Sequence, residues 1–131
     1  MTSTTCPAAS FNARGMWLFS GSRLVTDPCG FAETSTPQYT IDITTQCGDS
    51  VAGTIDIGSG ASVTGQLTSS MGIGFKVDGS VSCNPNTGCC ATLQFTANGI
   101  SGNNANSADL QITSDCNGMP CPEEWTGTAA R

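Results

Sequence analysis

The chain has no histidine among its 131 residues. That removes the side chain most often used as a general base near neutral pH and the commonest zinc ligand after cysteine. A Ser-His-Asp triad is excluded for the same reason, and no Gly-x-Ser-x-Gly elbow occurs. Positive charge is scarce. Arg14, Arg23, Lys76 and Arg131 stand against ten acidic residues, giving a net charge of −6. Such a surface repels phosphate groups, so neither nucleic acid nor an anionic lipid surface is an expected partner. No apolar run approaches the roughly 20 residues that span a bilayer as a helix, so no transmembrane segment is expected. No Asn-x-Ser/Thr sequon is present. No run of Ala, Leu, Glu and Lys suggests a helix, and no segment repeats with a period near 3.6.

What the chain does have is sulfur. Its eight cysteines are Cys6, Cys29, Cys47, Cys83, Cys89, Cys90, Cys116 and Cys121. An even number at this density reads as a disulfide framework in an exported domain, secreted, periplasmic or at a cell surface. No Cys-x-x-Cys pair is available for a zinc ribbon or a dithiol redox centre, so neither a metal nor a cofactor is expected. No charged n-region and apolar h-region open the chain, which reads as a mature domain whose export signal lies elsewhere. Cys89 and Cys90 are adjacent, face opposite sides of a strand and must take different partners. Loop spacing suggests Cys83 with Cys89 and Cys116 with Cys121. Cys90 then pairs with Cys47 or Cys29, and Cys6 with whichever remains. Lipid attachment at Cys6 would strand one thiol.

Residues 1–14 read as an N-terminal arm, and residues 15–131 as a single domain. The domain alternates with period two. Tyr39, Ile41 and Ile43 alternate with polar residues, as do Val51 and Ile55, Val63 and Leu67, Leu93 and Phe95, and Leu110 and Ile112. Strict alternation marks strands with one dry and one wet face. The pattern predicts eight strands, near 15–20, 38–46, 51–57, 62–68, 73–82, 90–98, 108–115 and 124–130, with Arg23 to Thr26 as a potential ninth. Turn chemistry separates them at Cys47-Gly48-Asp49-Ser50, Gly58-Ser59-Gly60, Ser69-Ser70-Met71-Gly72, Asn84 to Gly88 and Gly102-Asn103-Asn104. Asp78-Gly79 and Asn98-Gly99 fit either a turn or a bulge. The oxygen-rich stretch Asn98 to Asp109 reads as a long hairpin loop, with calcium as a lesser alternative.

Short loops between consecutive strands imply an antiparallel meander, all-β and single-layered. Eight strands can close into a barrel by pairing the first with the last. Trp17 and Trp125 would then be neighbours at the seam. Gly53, Gly65 and Gly127 at inward positions suit a small, tightly coiled barrel. A two-sheet sandwich satisfies the same pattern. The opening Gly15-Met16-Trp17-Leu18-Phe19, with Val51-Ala52-Gly53-Thr54-Ile55 after it, resembles the start of avidin-type and lipocalin-type barrels. Both begin with a glycine and a tryptophan in the first strand. The resemblance covers about a quarter of the chain and implies a barrel shape, not biotin binding. Avidins line their pocket with several tryptophans and a tyrosine, and here only Trp17, Trp125 and Tyr39 are available.

These readings lead to a non-enzymatic, exported binding module with a small apolar ligand as its expected cargo. The aromatic side chains Trp17, Phe19, Tyr39, Phe75, Phe95 and Trp125 are the candidate pocket lining, or else simply core. The competing reading is a structural subunit of an extracellular filament or surface layer, self-assembling through residues 1–14 laid on a neighbour's sheet. Carboxylate-only catalysis would need two acids facing one cleft, whereas Asp42, Asp56 and Asp78 fall at outward positions. Outward threonines such as Thr40, Thr54, Thr64, Thr92 and Thr113 follow β-propensity on a wet face.

Overall fold

A computed structural model of the protein describes residues 5–30, 37–57 and 60–131. It is all-β, with eight strands in chain order: β1 (Gly15–Thr26), β2 (Gln38–Cys47), β3 (Ser50–Ile55), β4 (Ala61–Thr68), β5 (Gly74–Val81), β6 (Cys89–Ser101), β7 (Asn104–Cys116) and β8 (Met119–Ala130). Each strand pairs antiparallel with the next, and β1 pairs with β8 to close the ring. The expected meander and its closure are therefore present, and the sandwich is not.

Three boundaries differ from the sequence reading. Arg23 to Thr26 is the second half of β1, continued past a register shift after Gly21. A bulge lets one strand bend without ending, so what looks like a break in alternation is a change of face. Asn98 to Asp109 is no long loop. β6 and β7 run on to a two-residue turn at Gly102-Asn103, with Ser101 opposite Asn104. Gly99, at φ 61°, stays within β6 with the β6–β7 register unbroken from Asn98↔Ser107 to Ile100↔Ala105; the register shift lies on the far side of β7, between Ala105 and Ala108 against β8. β8 starts at Met119, straight after the Asn117-Gly118 turn, whose φ values of 58° and 82° suit a tight hairpin. Asp78-Gly79 stays in regular register within β5. Of the expected Gly58-Ser59-Gly60 turn, Gly58 and Ser59 lie outside the described residues, as do residues 1–4 of the arm.

The inward glycines have a measurable reason. A Cβ on Gly53 would lie 1.8 Å from the Asp42 carbonyl oxygen, on Gly65 1.7 Å from that of Lys76, and on Gly127 1.9 Å from that of Ser20. Neighbouring backbones approach closer there than any side chain permits, which is how an eight-stranded sheet coils tightly.

The interior is solid. Trp17, Phe19, Phe75 and Phe95 are fully buried, with Ile41, Ile43, Ile55, Val63, Val77 and Leu110 around them. Their rings touch in sequence: Trp17 to Phe75 at 5.5 Å between centroids, Phe75 to Phe95 at 5.7 Å, and Phe95 to Phe19 at 5.8 Å. Burying each large apolar side chain contributes about 1.5–3 kcal/mol, and each tilted ring pair about 0.5–1.5 kcal/mol more. The two indoles are not neighbours. Phe19 pairs with Ala129, while Trp125 pairs with Leu24. Trp17 therefore sits about 20 Å along the wall from Trp125, at about 3.4 Å per residue. Adjacent strands do not make adjacent residues when the register sets them apart.

All eight cysteines are oxidised, and no free thiol remains. The pairs are Cys6–Cys47, Cys29–Cys121, Cys83–Cys90 and Cys89–Cys116. The expected Cys83–Cys89 and Cys116–Cys121 links are not formed, and Cys90 takes neither Cys47 nor Cys29. Register explains this. Cys89 lies directly opposite Cys116 on the same face, with Cα atoms 4.1 Å apart. The tight turn places Met119 across from Cys116 and sets Cys121 across from Ser114. Cys121 is then met by Cys29 from the connection after β1. With Cys6 bonded to Cys47, its sulfur is not available for a lipid.

Candidate functional site

The arm closes one end of this barrel. Gln46, turned inward by a register shift after Ile43, accepts from the Ala13 backbone N–H at 2.8 Å. Its amide group donates to the Phe11 carbonyl at 2.7 Å and the Gly48 carbonyl at 3.0 Å. Trp17 Nε1 donates to the Ala13 carbonyl at 2.8 Å. The Arg131 guanidinium lies 4.7 Å over the Trp17 ring and 5.2 Å over Phe11, and also donates to the Arg14 carbonyl at 2.9 Å. These bonds satisfy the backbone groups of a segment laid across an apolar mouth, which would otherwise be costly to bury.

The six aromatic candidates fall within or against the core. Trp17, Phe19, Phe75 and Phe95 are fully enclosed. Tyr39 is half-buried across from Phe19, and Trp125 is buried with its Nε1 donating to Glu123 Oε2 at 2.9 Å. They come together as one packed interior, and none of them lines the surface clefts described next.

On the outer wall lies a cleft of about 350 Å³, lined by Thr68, Ser70, Met71, Lys76, Gln94, Thr96, Asn98, Asp109, Gln111 and Glu124. Its floor follows from strand register. Lys76 pairs with Thr96, and Thr96 with Asp109; one row below, Asp78 pairs with Gln94, Gln94 with Gln111, and Gln111 with Glu124. All are outward members of alternating strands. One wall is the β4–β5 connection, which folds over β6 at Gly99 and Ile100. The Ile100 N–H donates to the Ile73 carbonyl at 2.8 Å, and a Cβ on Gly72 would come within 3.3 Å of the Gly99 Cα.

Asn98 is what sets this cleft apart. It is 8 % exposed, the single polar side chain in the buried set of described residues. Its amide lines the cleft and makes no hydrogen bond to any described residue. Its amide atoms are not among the fully buried ones, so they are open to whatever enters the cleft. Beside it, the Thr68 hydroxyl oxygen is buried and without a hydrogen-bond partner. The neighbouring glutamines are already committed. Gln94 Nε2 donates to Asp78 Oδ1 at 3.1 Å, and Gln111 Nε2 donates to Glu124 Oε1 at 3.1 Å. Each therefore turns its carbonyl oxygen free of that bond. A larger depression of about 630 Å³ lies outside β2–β4 around Thr45, Ala52, Thr64 and Gln66. It has no buried polar group lacking a partner.

The sequence reading noticed Asn98 and Asp109 as oxygen-rich residues, and Asp78 as an outward acid. It did not bring them together with Lys76, Gln94, Thr96, Gln111 and Glu124. The available signal was shared outward parity on consecutive strands; what joins them is register. Among the described residues no three acidic or sulfur side chains are grouped as a metal ion would require. No family model, curated protein or solved structure matches the chain.

Proposed function

We propose that this protein is an exported, non-enzymatic binding module that holds a small polar ligand on the outside of a solid barrel. The observations that carry this reading are Thr68, whose buried hydroxyl has no hydrogen-bond partner, and the nearly enclosed Asn98 beside it, both lining one cleft. Native proteins pair buried polar groups, and exceptions concentrate where something else is to be bound. Four disulfides suit an oxidising compartment. With every thiol oxidised and no histidine, the two commonest activated groups are unavailable for catalysis. The filled interior favours an outer-wall ligand over an apolar one inside. Assembly by strand addition has less support, because each strand of the ring has two neighbours and the arm is bonded to its own β2.

The test is a ¹⁵N-labelled titration with millimolar mono- and disaccharides, free amino acids and dipeptides. A binding module moves the amide signals of residues 68–71, 94–98 and 109–111 and leaves those of the core strands in place. If no compound in that panel moves them, the outer-wall reading is wrong.

A further inference from the structure

We infer that the ligand of the outer-wall cleft is a neutral saccharide, an inference that rests on that cleft being the binding site. The lining decides the class by elimination and by fit. Lys76 is its single cation, set among Asp109 and Glu124 on a chain of net charge −6. A phosphate or sulfate would meet more negative than positive charge. No aromatic ring lines the cleft, so a flat nucleobase or aromatic ligand has nothing to stack on. Two carboxylates without a third ligand do not make a metal cage, and the nearby ammonium opposes a cation.

What remains is a group that both donates and accepts hydrogen bonds without charge, repeated over a short distance. A sugar hydroxyl does both. The cleft offers matching sets. Lys76 and the Asn98 amide nitrogen donate; Asp109 and the carbonyl oxygens of Gln94 and Gln111 accept. The geometry keeps them from cancelling one another. Lys76 and Asp109 flank Thr96 on strands two spacings apart, about 10 Å, and no ion pair joins them among the described residues. A ligand lying across β5, β6 and β7 therefore meets a donor on one side, a hydroxyl in the middle and an acceptor on the other. The volume of about 350 Å³ is at the small end of ligand sites, which suits a mono- or disaccharide unit and not a long chain. Asn98 sits deepest and reads one hydroxyl with both its nitrogen and its oxygen.

The test compares maltose, cellobiose and N,N′-diacetylchitobiose with glycylglycine and sulfate in the ¹⁵N titration, on the intact oxidised protein. At least one disaccharide is expected to shift the cleft amides saturably. Asn98→Ala and Lys76→Met should each weaken that binding about tenfold, with unchanged spectra at β1–β3. Lys76 is exposed, so its substitution keeps the test sound if Asn98→Ala folds poorly. Glycylglycine or sulfate shifting the cleft while the sugars are silent would overturn the saccharide and leave the site standing. Silence from all five overturns the saccharide, and silence from the monosaccharides and free amino acids as well overturns the site. A sugar response that neither substitution weakens places binding elsewhere and overturns the inference as well.

Discussion

Around Thr26, Val81 and Cys116, at one end of the barrel, three disulfides bind the chain to itself: Cys29–Cys121, Cys83–Cys90 and Cys89–Cys116. Around Gly15, Cys47 and Ala130, at the other, a folded-back arm lies over the core rings, held by Gln46, Trp17, Arg131 and the Cys6–Cys47 bond. The first end is closed mostly by covalent links that act on the unfolded chain, whose freedom they restrict. The second is closed mostly by directional bonds that exist only once the barrel has formed. Sulfur replaces packing where the strand ends splay into long connections. Packing suffices where an arm with Phe11 and Ala13 reaches the mouth.

This contrast can be tested by breaking each end in turn. Replacing Cys29 and Cys121 together by Ser should have the largest effect. They lie 92 residues apart, and removing a link over such a span costs about 4–5 kcal/mol in the loop-entropy account, read from the urea midpoint. Replacing Cys83 and Cys90, only 7 apart, should cost about 2 kcal/mol on the same scale. Equal losses from the two pairs would refute the entropic explanation of that end. At the arm end, Gln46→Ala should cost about 1–2 kcal/mol through its lost partners. Its signature is local: hydrogen exchange at Ala13 accelerates, whereas exchange along the β6–β7 ladder near Cys89 and Cys116 does not. Should both ends loosen together, they are not separate devices. The smallest change is expected for Arg131→Ala, about 0.5–1 kcal/mol from the lost contact with Trp17 and Phe11, seen as a slight shift in the tryptophan emission and midpoint.

The two regions also differ in how far they could be read beforehand. Alternation along 39–43 and 91–97 gave each strand its dry face, and the buried set of Ile41, Ile43, Leu93, Phe95 and Ala97 follows it residue by residue. Reading stopped where alternation changes phase. The shift after Ile43 turns Gln46 inward, and the one between Ala105 and Ala108 buries both of those alanines, three residues apart. Neither is visible locally, because a bulge is a relation between two strands. The outer cleft was missed for a related reason. Its side chains come from five strands and one connection, and each one alone looks like an ordinary solvated residue.

From the sequence alone came an all-β meander that could close into a ring, its oxidised cysteines and the identity of most of its core side chains. These are consequences of side-chain period, composition and parity, which act over a few residues. The folded structure alone decided which sulfurs meet, how far apart the two indoles lie, how the arm caps the mouth and that Asn98 faces a cleft without a partner. Those depend on register between strands distant in the chain. Register is fixed by the summed fit of the whole barrel, and no local stretch of sequence contains that sum.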